Sequence, residues 1–197
     1  MINKITEKIT MRIILKFHLN NSDQDIYSYG MFMFLSFAIF GVIAFVFGII
    51  FDCVIESFFF YIFFQLLRKY CGGYHADTSG RCEFMTTIII IICIASIKAV
   101  EYLKSENILF LISLLFFAIV YILSPIDTKE NPLSKEEKKE FQKISRIIIW
   151  VILSIISVTF IAKFDLLFVP CCVSIILEGA LLIAGKIKNT KRKINIE

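Results

Sequence analysis

Six long apolar runs, separated by short polar segments, dominate this chain of 197 residues. Hydrophobic residues make up 58% of the chain, 21 residues are phenylalanine, and the mean hydropathy is +0.79. A soluble domain of this size cannot bury so much apolar surface, whereas a bilayer is crossed by about 20 apolar residues. The sequence therefore predicts an all-α, polytopic membrane protein of about six transmembrane helices, drawn at residues 30–50, 53–67, 84–98, 108–123, 144–162 and 166–187.

The whole chain, residues 1–197, is predicted to form a single integral-membrane domain, because neither an internal repeat nor a second soluble domain is visible. Residues 1–20 predict an amphipathic helix lying on the membrane surface, since apolar side chains recur there at helical spacing beside lysines. The apolar positions are Ile2, Ile5, Ile9, Ile13 and Phe17. The apolar stretch at 13–15 is too short for a signal peptide, so we expect no cleavage. Residues 188–197 form a basic tail.

The distribution of Lys and Arg predicts the orientation of the bundle. Of the 21 basic residues, 18 fall in four segments on one side, at 1–29, 68–83, 124–146 and 186–197. Because cytoplasmic loops carry the excess of Lys and Arg, both termini are expected in the cytoplasm. The charge-rich stretch 135–143 lies on the same side and is predicted as a solvated helix or loop.

A polar loop on this cytoplasmic side carries the candidate chemistry. It contains His75, one of two histidines in the chain, seven residues before Cys82. A thiol becomes a strong nucleophile as the thiolate, which a neighbouring imidazole favours near neutral pH. Seven residues of straight helix span about 10.5 Å, too far for a hydrogen bond. However, the turn-forming residues 77–80 can fold the chain back and bring the two side chains together.

Other residues of the loop have candidate supporting roles. Gly72 and Gly73 can present backbone N–H groups to a substrate oxyanion. Arg68 is either a snorkelling anchor or a group that orients the substrate and stabilises developing negative charge. Asp77 either orients His75 or stabilises a turn as an Asx residue. The second histidine, His18, is predicted to lie at the membrane interface without a catalytic role.

Two alternatives remain open from the residues alone. Cys71, His75 and Cys82 could be zinc ligands, but a fourth ligand at the usual spacing is missing, so no metal or other cofactor is expected. A transporter without proteolytic chemistry would suit Glu56 and Glu178 in the spans, although transporters place polar residues at the membrane midplane. We expect Glu178 to face the interior of the bundle.

The loop resembles the signature of the AgrB family, the accessory gene regulator B proteins of Gram-positive quorum sensing. The resemblance rests on the spacing of a basic residue, a glycine pair, a histidine and a cysteine, supported by a proline-flanked loop and a Tyr-Gly pair. The residues are Arg68, Gly72-Gly73-Tyr74-His75-Ala76, Cys82, Ser124-Pro125-Ile126-Asp127-Thr128, Asn131-Pro132-Leu133 and Tyr29-Gly30. Asn131 departs from the pattern, since many members have lysine there.

The resemblance implies a membrane cysteine endopeptidase of the cell membrane, with Cys82 as nucleophile and His75 as base. Its implied substrate is an AgrD-like propeptide with an amphipathic helix, a central cysteine and an acidic C-terminal tail. Loss of the tail would leave an acyl-enzyme thioester, which the propeptide cysteine would capture as a cyclic thiolactone for quorum sensing and virulence regulation. The basic segments 135–143 and 186–193 would attract the tail. A homodimer is left open, and no nucleic-acid partner is expected.

Overall fold

The computed structural model describes residues 2–17, 24–127 and 133–194. Within these ranges the chain forms seven α-helices and no β-strand, so the prediction of an all-α membrane bundle is confirmed. The helices are α1 (Ile2–Phe17), α2 (Gln24–Ile50), α3 (Val54–Cys71), α4 (Ser79–Leu103), α5 (Glu106–Leu123), α6 (Lys135–Ile161) and α7 (Asp165–Ile194).

Five of these helices, α2, α4, α5, α6 and α7, are long and apolar enough to cross a membrane. They coincide with five of the six predicted spans. The remaining predicted span falls on α3, whose 18 residues include three charges, Glu56, Arg68 and Lys69. A count of six crossings therefore depends on how α3 runs through the bundle.

Contacts at the two ends of α3 show that it runs from one end of the bundle to the other. Just before α3 begins, the carbonyl of Asp52 accepts a hydrogen bond from Lys98, near the end of α4. Just after α3 ends, Gly72 pairs with Ile126, which follows the end of α5. At 18 residues α3 is about 27 Å long, close to the ~30 Å hydrocarbon core. This path is consistent with a sixth crossing, antiparallel to its chain neighbours.

Two helices extend beyond the predicted spans. α6 begins at Lys135 with a capping box. The Ser134 N–H donates to the Glu137 carboxylate at 2.8 Å, and the Glu137 N–H donates to the Ser134 hydroxyl at 3.2 Å. The charge-rich stretch 135–143 is therefore the first part of α6, as expected for residues rich in the good helix formers Glu and Lys. α7 continues to Ile194, so most of the predicted basic tail is helical.

The core of the bundle lies between α3 and α7, which pack most extensively on each other. Phe60 and Leu67 of α3 are fully buried, as are Phe168 and Ile175 of α7. The Ser174 hydroxyl of α7 also donates to the Phe60 carbonyl at 3.1 Å. In contrast, α4 buries few side chains and packs mainly on α2 and α7. Thus α7 is the central element against which the functional loop is held.

The N-terminal helix α1 packs against α2 through a narrow stripe of side chains spaced four residues apart. The stripe consists of Ile2, Thr6, Thr10 and Ile14. It is displaced by one position from the predicted apolar residues Ile9 and Ile13, which are half-buried. Threonine suits the buried face because its hydroxyl can bond to its own helix, as Thr6 does to the Ile2 carbonyl at 3.0 Å. His18 lies outside the described residues.

Candidate active site

The loop between α3 and α4, residues 72–78, begins with two glycines in backbone conformations that other residues rarely adopt. Gly72 has φ +76° and Gly73 has φ +114°. A Cβ on Gly72 would stand 2.2 Å from the Ile126 carbonyl oxygen, and one on Gly73 would stand 2.6 Å from the Arg68 guanidinium. Both positions therefore need glycine, for conformation and for space.

Residues 124–127, which follow α5, hold the start of this loop. The Ile126 N–H donates to the Cys71 carbonyl at 3.0 Å, and the Gly73 N–H donates to the Ile126 carbonyl at 3.4 Å. Asp127 is itself fixed by a salt bridge to Lys138 of α6 at 3.0 Å. Residues 124–127 of the proline-flanked segment thus support the loop, whereas Thr128, Asn131 and Pro132 lie outside the described residues.

The amides of the two glycines are engaged in this arrangement. The Gly72 N–H donates to the Arg68 carbonyl at 3.3 Å, and the Gly73 N–H is used by Ile126. An oxyanion would have to replace one of these bonds, of which the 3.4 Å bond from Gly73 is the longer. The oxyanion role predicted for these amides stays a prediction.

Arg68, in the last turn of α3, folds over the loop rather than reaching away from it. One terminal nitrogen of its guanidinium donates to the Gly72 carbonyl at 2.6 Å, and the other donates to the Tyr74 carbonyl. The planar guanidinium thereby bridges the two carbonyls on either side of Gly73. The sequence suggested two roles for Arg68, as a snorkelling anchor or as a group that orients the substrate. The geometry adds a third role, in which Arg68 fixes the loop backbone.

The middle of the loop lies against α7. The Tyr74 N–H donates to the Leu181 carbonyl at 2.9 Å. At Gly185 the two backbones approach so closely that a Cβ would lie 2.9 Å from Gly73. The Lys188 ammonium donates to the His75 carbonyl at 2.5 Å and lies 5.1 Å from the centre of the Tyr74 ring. The backbone at His75 is therefore fixed directly by α7.

Asp77, considered above as a partner that orients His75, forms a salt bridge with Lys188 at 2.8 Å. Its side chain is more than half exposed, whereas that of Lys188 is only 14% exposed. Through this one lysine, the His75 carbonyl and the Asp77 carboxylate are held together. Asp77 therefore contributes to the shape of the loop, and its predicted role toward the His75 ring stays a prediction.

Cys82 lies in the first turn of α4. Thr78 caps this helix, since its hydroxyl accepts from the Arg81 N–H at 3.4 Å and its carbonyl accepts from the Cys82 N–H at 3.0 Å. The predicted turn at 77–80 is thus shorter than expected: Ser79 and Gly80 already belong to α4. A helix N-terminus carries partial positive charge, which favours a thiolate.

Accessibility separates Cys82 from the other cysteines. Cys53, Cys71, Cys93, Cys171 and Cys172 are buried, whereas Cys82 is partly exposed. Burial in apolar surroundings disfavours the thiolate and keeps reagents out. Cys82 is therefore the cysteine best placed for chemistry.

The zinc alternative requires Cys71 to join His75 and Cys82. Cys71 is fully buried in the hydrophobic core at the end of α3. Among the described residues, no three Cys, His, Asp or Glu side chains converge as metal ligands would. The geometry thus offers no support for a metal centre in this part of the chain.

The sequence reasoning missed the contribution of α7 to this site. Leu181, Gly185 and Lys188 are far from the loop in sequence and belong to no motif. Their spacing of four and three residues places them on one face of α7, but the sequence does not say which helix or loop that face contacts.

The family model for accessory gene regulator B matches residues 2–183 of the chain. Two AgrB-like proteins of Clostridium perfringens, from strains SM101 and 13, are 29% and 28% identical over 149 residues. These matches cover 73% of this chain and 69% of each relative. No solved structure matches the chain.

Proposed function

The chain belongs to the family of accessory gene regulator B proteins, and we propose that it is a membrane cysteine endopeptidase that matures a quorum-sensing propeptide. The family assignment and the five apolar helices make it a multi-pass membrane protein of the accessory gene regulator type. The catalytic chemistry, the substrate and the cytoplasmic orientation of the loop are parts of the proposal.

The observation that carries the proposal is that a partly exposed cysteine follows, across a short bend, a histidine whose backbone is fixed. Cys82 is partly exposed in the first turn of α4, and the backbone of His75 is bound to Lys188. A short bend at 77–78 separates the two residues and keeps them at the same end of the bundle. A positioned base and an accessible thiol are the parts that a cysteine nucleophile needs.

In the proposed reaction, the His75 imidazole removes the Cys82 proton as the sulfur attacks the carbonyl carbon before the acidic tail. Collapse of the tetrahedral intermediate breaks the C–N bond, and the imidazolium gives its proton to the leaving amine. The N-terminal part of the propeptide remains on Cys82 as a thioester. The thiol of the propeptide cysteine then attacks this thioester, closes the thiolactone ring and releases Cys82 with its proton restored.

The proposed substrate is an AgrD-like propeptide, and the charges near the loop are suited to its acidic tail. The first two turns of α6 balance three lysines with three glutamates, so the positive charge at this end comes from other residues, among them the exposed Lys186 and Lys191 of α7. An acidic peptide would be attracted to this end, more strongly at low ionic strength.

The transporter alternative drew on Glu56 and Glu178. Glu178 is fully buried on α7, and Glu56 is half-buried in the first turn of α3. The transporter reading stays a prediction, which the following experiment separates from the peptidase.

The proposal is tested with the full-length protein in proteoliposomes and a synthetic AgrD-like propeptide. Cys82→Ala should abolish release of the tail, measured by mass spectrometry, while Cys93→Ala, a buried cysteine of the same helix, should retain it. Tail release by Cys82→Ala at the normal rate would refute the proposal. Transport of the intact propeptide without cleavage would favour the alternative.

A further inference from the structure

One face of α7 lies along α3 and the loop that follows it, and contacts both. The positions on this face are four, three, four and three residues apart, which places them in one stripe along the helix. The stripe consists of Ser174, Glu178, Leu181, Gly185 and Lys188.

Four members of this stripe have direct partners on α3 or the loop. Ser174 donates to the Phe60 carbonyl, and the Leu181 carbonyl accepts from Tyr74. Gly185 contacts the backbone of Gly73, and Lys188 donates to the His75 carbonyl. The fifth member, Glu178, is different.

Glu178 is completely buried, and neither of its carboxylate oxygens has a hydrogen-bond partner. Carboxylates within membrane spans are costly and are normally paired. Arg68 is the cation whose charge acts on Glu178, although the two side chains form no direct ion pair. A side chain built on Gly73 would meet both the Arg68 guanidinium and the backbone of Leu181, which is one turn beyond Glu178 on the same face.

The position of the Arg68 guanidinium matters because it sets the loop backbone. Its two terminal nitrogens bond the carbonyls of Gly72 and Tyr74, which are three residues and one residue before His75. An arginine has five N–H donors, so it can hold both carbonyls and still present charge to a carboxylate below it. Without that carboxylate, the guanidinium would be drawn toward water and away from the loop.

We propose that Glu178 is a positioning residue, whose buried carboxylate holds the Arg68 guanidinium against the loop and thereby sets the place of His75. The inference deepens the proposed function and rests on it for its catalytic meaning. Glu178 touches neither the substrate nor the reacting atoms, and acts through Arg68 alone.

The first test observes His75 directly, without any peptide. The chain has two histidines, so ¹⁵N-histidine labelling in a His18→Gln background leaves the His75 imidazole as the single NMR signal. Glu178→Gln keeps the shape and removes the charge, and should shift or broaden this signal. Ser174→Ala, in the same stripe one turn further from the loop, is the matched control and should not. An unchanged His75 signal in folded Glu178→Gln would overturn the proposal.

The second test asks whether Glu178 acts through Arg68. The readout is the alkylation rate of Cys82 by iodoacetamide, which we expect to fall about tenfold in Glu178→Gln as less thiolate forms. Arg68→Gln should lower the rate similarly, and the double variant should be no worse than Arg68→Gln alone. Losses that multiply in the double variant would show independent roles and overturn the proposal.

Folding is checked by thermal unfolding of each variant. If Glu178→Gln fails to fold, Glu178→Asp replaces it, since the charge is retained but stands one methylene further from Arg68. Glu178→Asp should displace the His75 signal, and a signal identical to wild type would overturn the proposal. Because the NMR signal needs no substrate, it separates failure of this inference from failure of the proposed peptidase function.

Discussion

Residues 72–82, which comprise the loop after α3 and the first turn of α4, fall into two parts that are held very differently. Residues 72–76 are bonded through their backbone to Arg68, Ile126, Leu181 and Lys188. Residues 77–82 are largely exposed, and their described contacts are the helix cap at Thr78 and the salt bridge of Asp77. The proposed base thus lies on the fixed part and the proposed nucleophile on the lightly held part. Such a division keeps the imidazole in place while leaving the thiol accessible to a peptide chain.

The largest expected effect compares a glycine in each part. Gly73→Ala forces a side chain onto a positive φ and against Arg68, so tail release should fall at least about 100-fold, the cost of a small misplacement of catalytic groups. Gly80→Ala is the matched control, because it lies in the first turn of α4 with open space around it. It should leave cleavage near wild type. Equal losses in the two variants would remove the distinction between the parts.

The next effect tests the base on the fixed part. His75→Ala should lower tail release by roughly 10²–10⁴-fold, the usual contribution of a general acid–base group. His18→Ala should change it little. Comparable losses from the two substitutions would show that His75 has no special role.

Lys188 links the two parts, because it holds both the His75 carbonyl and the Asp77 carboxylate. Lys188→Met keeps the aliphatic stem and removes three donors, and we expect about a tenfold loss of cleavage from these charged hydrogen bonds. Lys69→Met, an exposed lysine at the end of α3, is the control. A loss from Lys69→Met as large as that from Lys188→Met would assign the effect to surface charge alone.

The smallest effect concerns the lightly held part. Thr78→Ala removes the side-chain cap of α4, which is typically worth about 1 kcal/mol, so alkylation of Cys82 should slow by up to about fivefold. Thr78→Ser should preserve the rate. The same alkylation assay is run on Lys188→Met. If Cys82 were alkylated more slowly in Thr78→Ala than in Lys188→Met, α4 rather than the fixed part would limit the site.

Much of this arrangement follows from local sequence. Apolar runs predicted the spans because each helix in a bilayer must satisfy its own backbone hydrogen bonds and expose apolar side chains. The glycine pair predicted a bend because other residues rarely adopt the backbone angles that it allows. The cap at Thr78 ended the predicted turn earlier than expected, since Ser79 and Gly80 can enter a helix. The shift of the α1 stripe to Thr6 and Thr10 likewise depends on packing against α2, which periodicity does not contain.

The contribution of α7 could not be derived in this way. Leu181 acts through its carbonyl, a group that every residue has, and Gly185 acts through the absence of a side chain. In the sequence, Lys188 is one of many lysines on the predicted cytoplasmic side. Its partners in the loop lie more than 100 residues away in sequence, so no local pattern points to them. Such roles depend on which helices are neighbours, which the sequence pattern leaves undetermined.

The most direct test of the account is to identify the atom that carries the acyl group. Full-length protein in proteoliposomes is mixed with a synthetic AgrD-like propeptide whose cysteine is replaced by alanine, so that the thioester cannot cyclise. Proteolysis and mass spectrometry then locate the adduct. If Cys82 is the nucleophile, we expect a hydroxylamine-sensitive adduct on Cys82, equal in mass to the propeptide without its tail. Tail release with an adduct on another residue, or tail release that persists in Cys82→Ala, would contradict it.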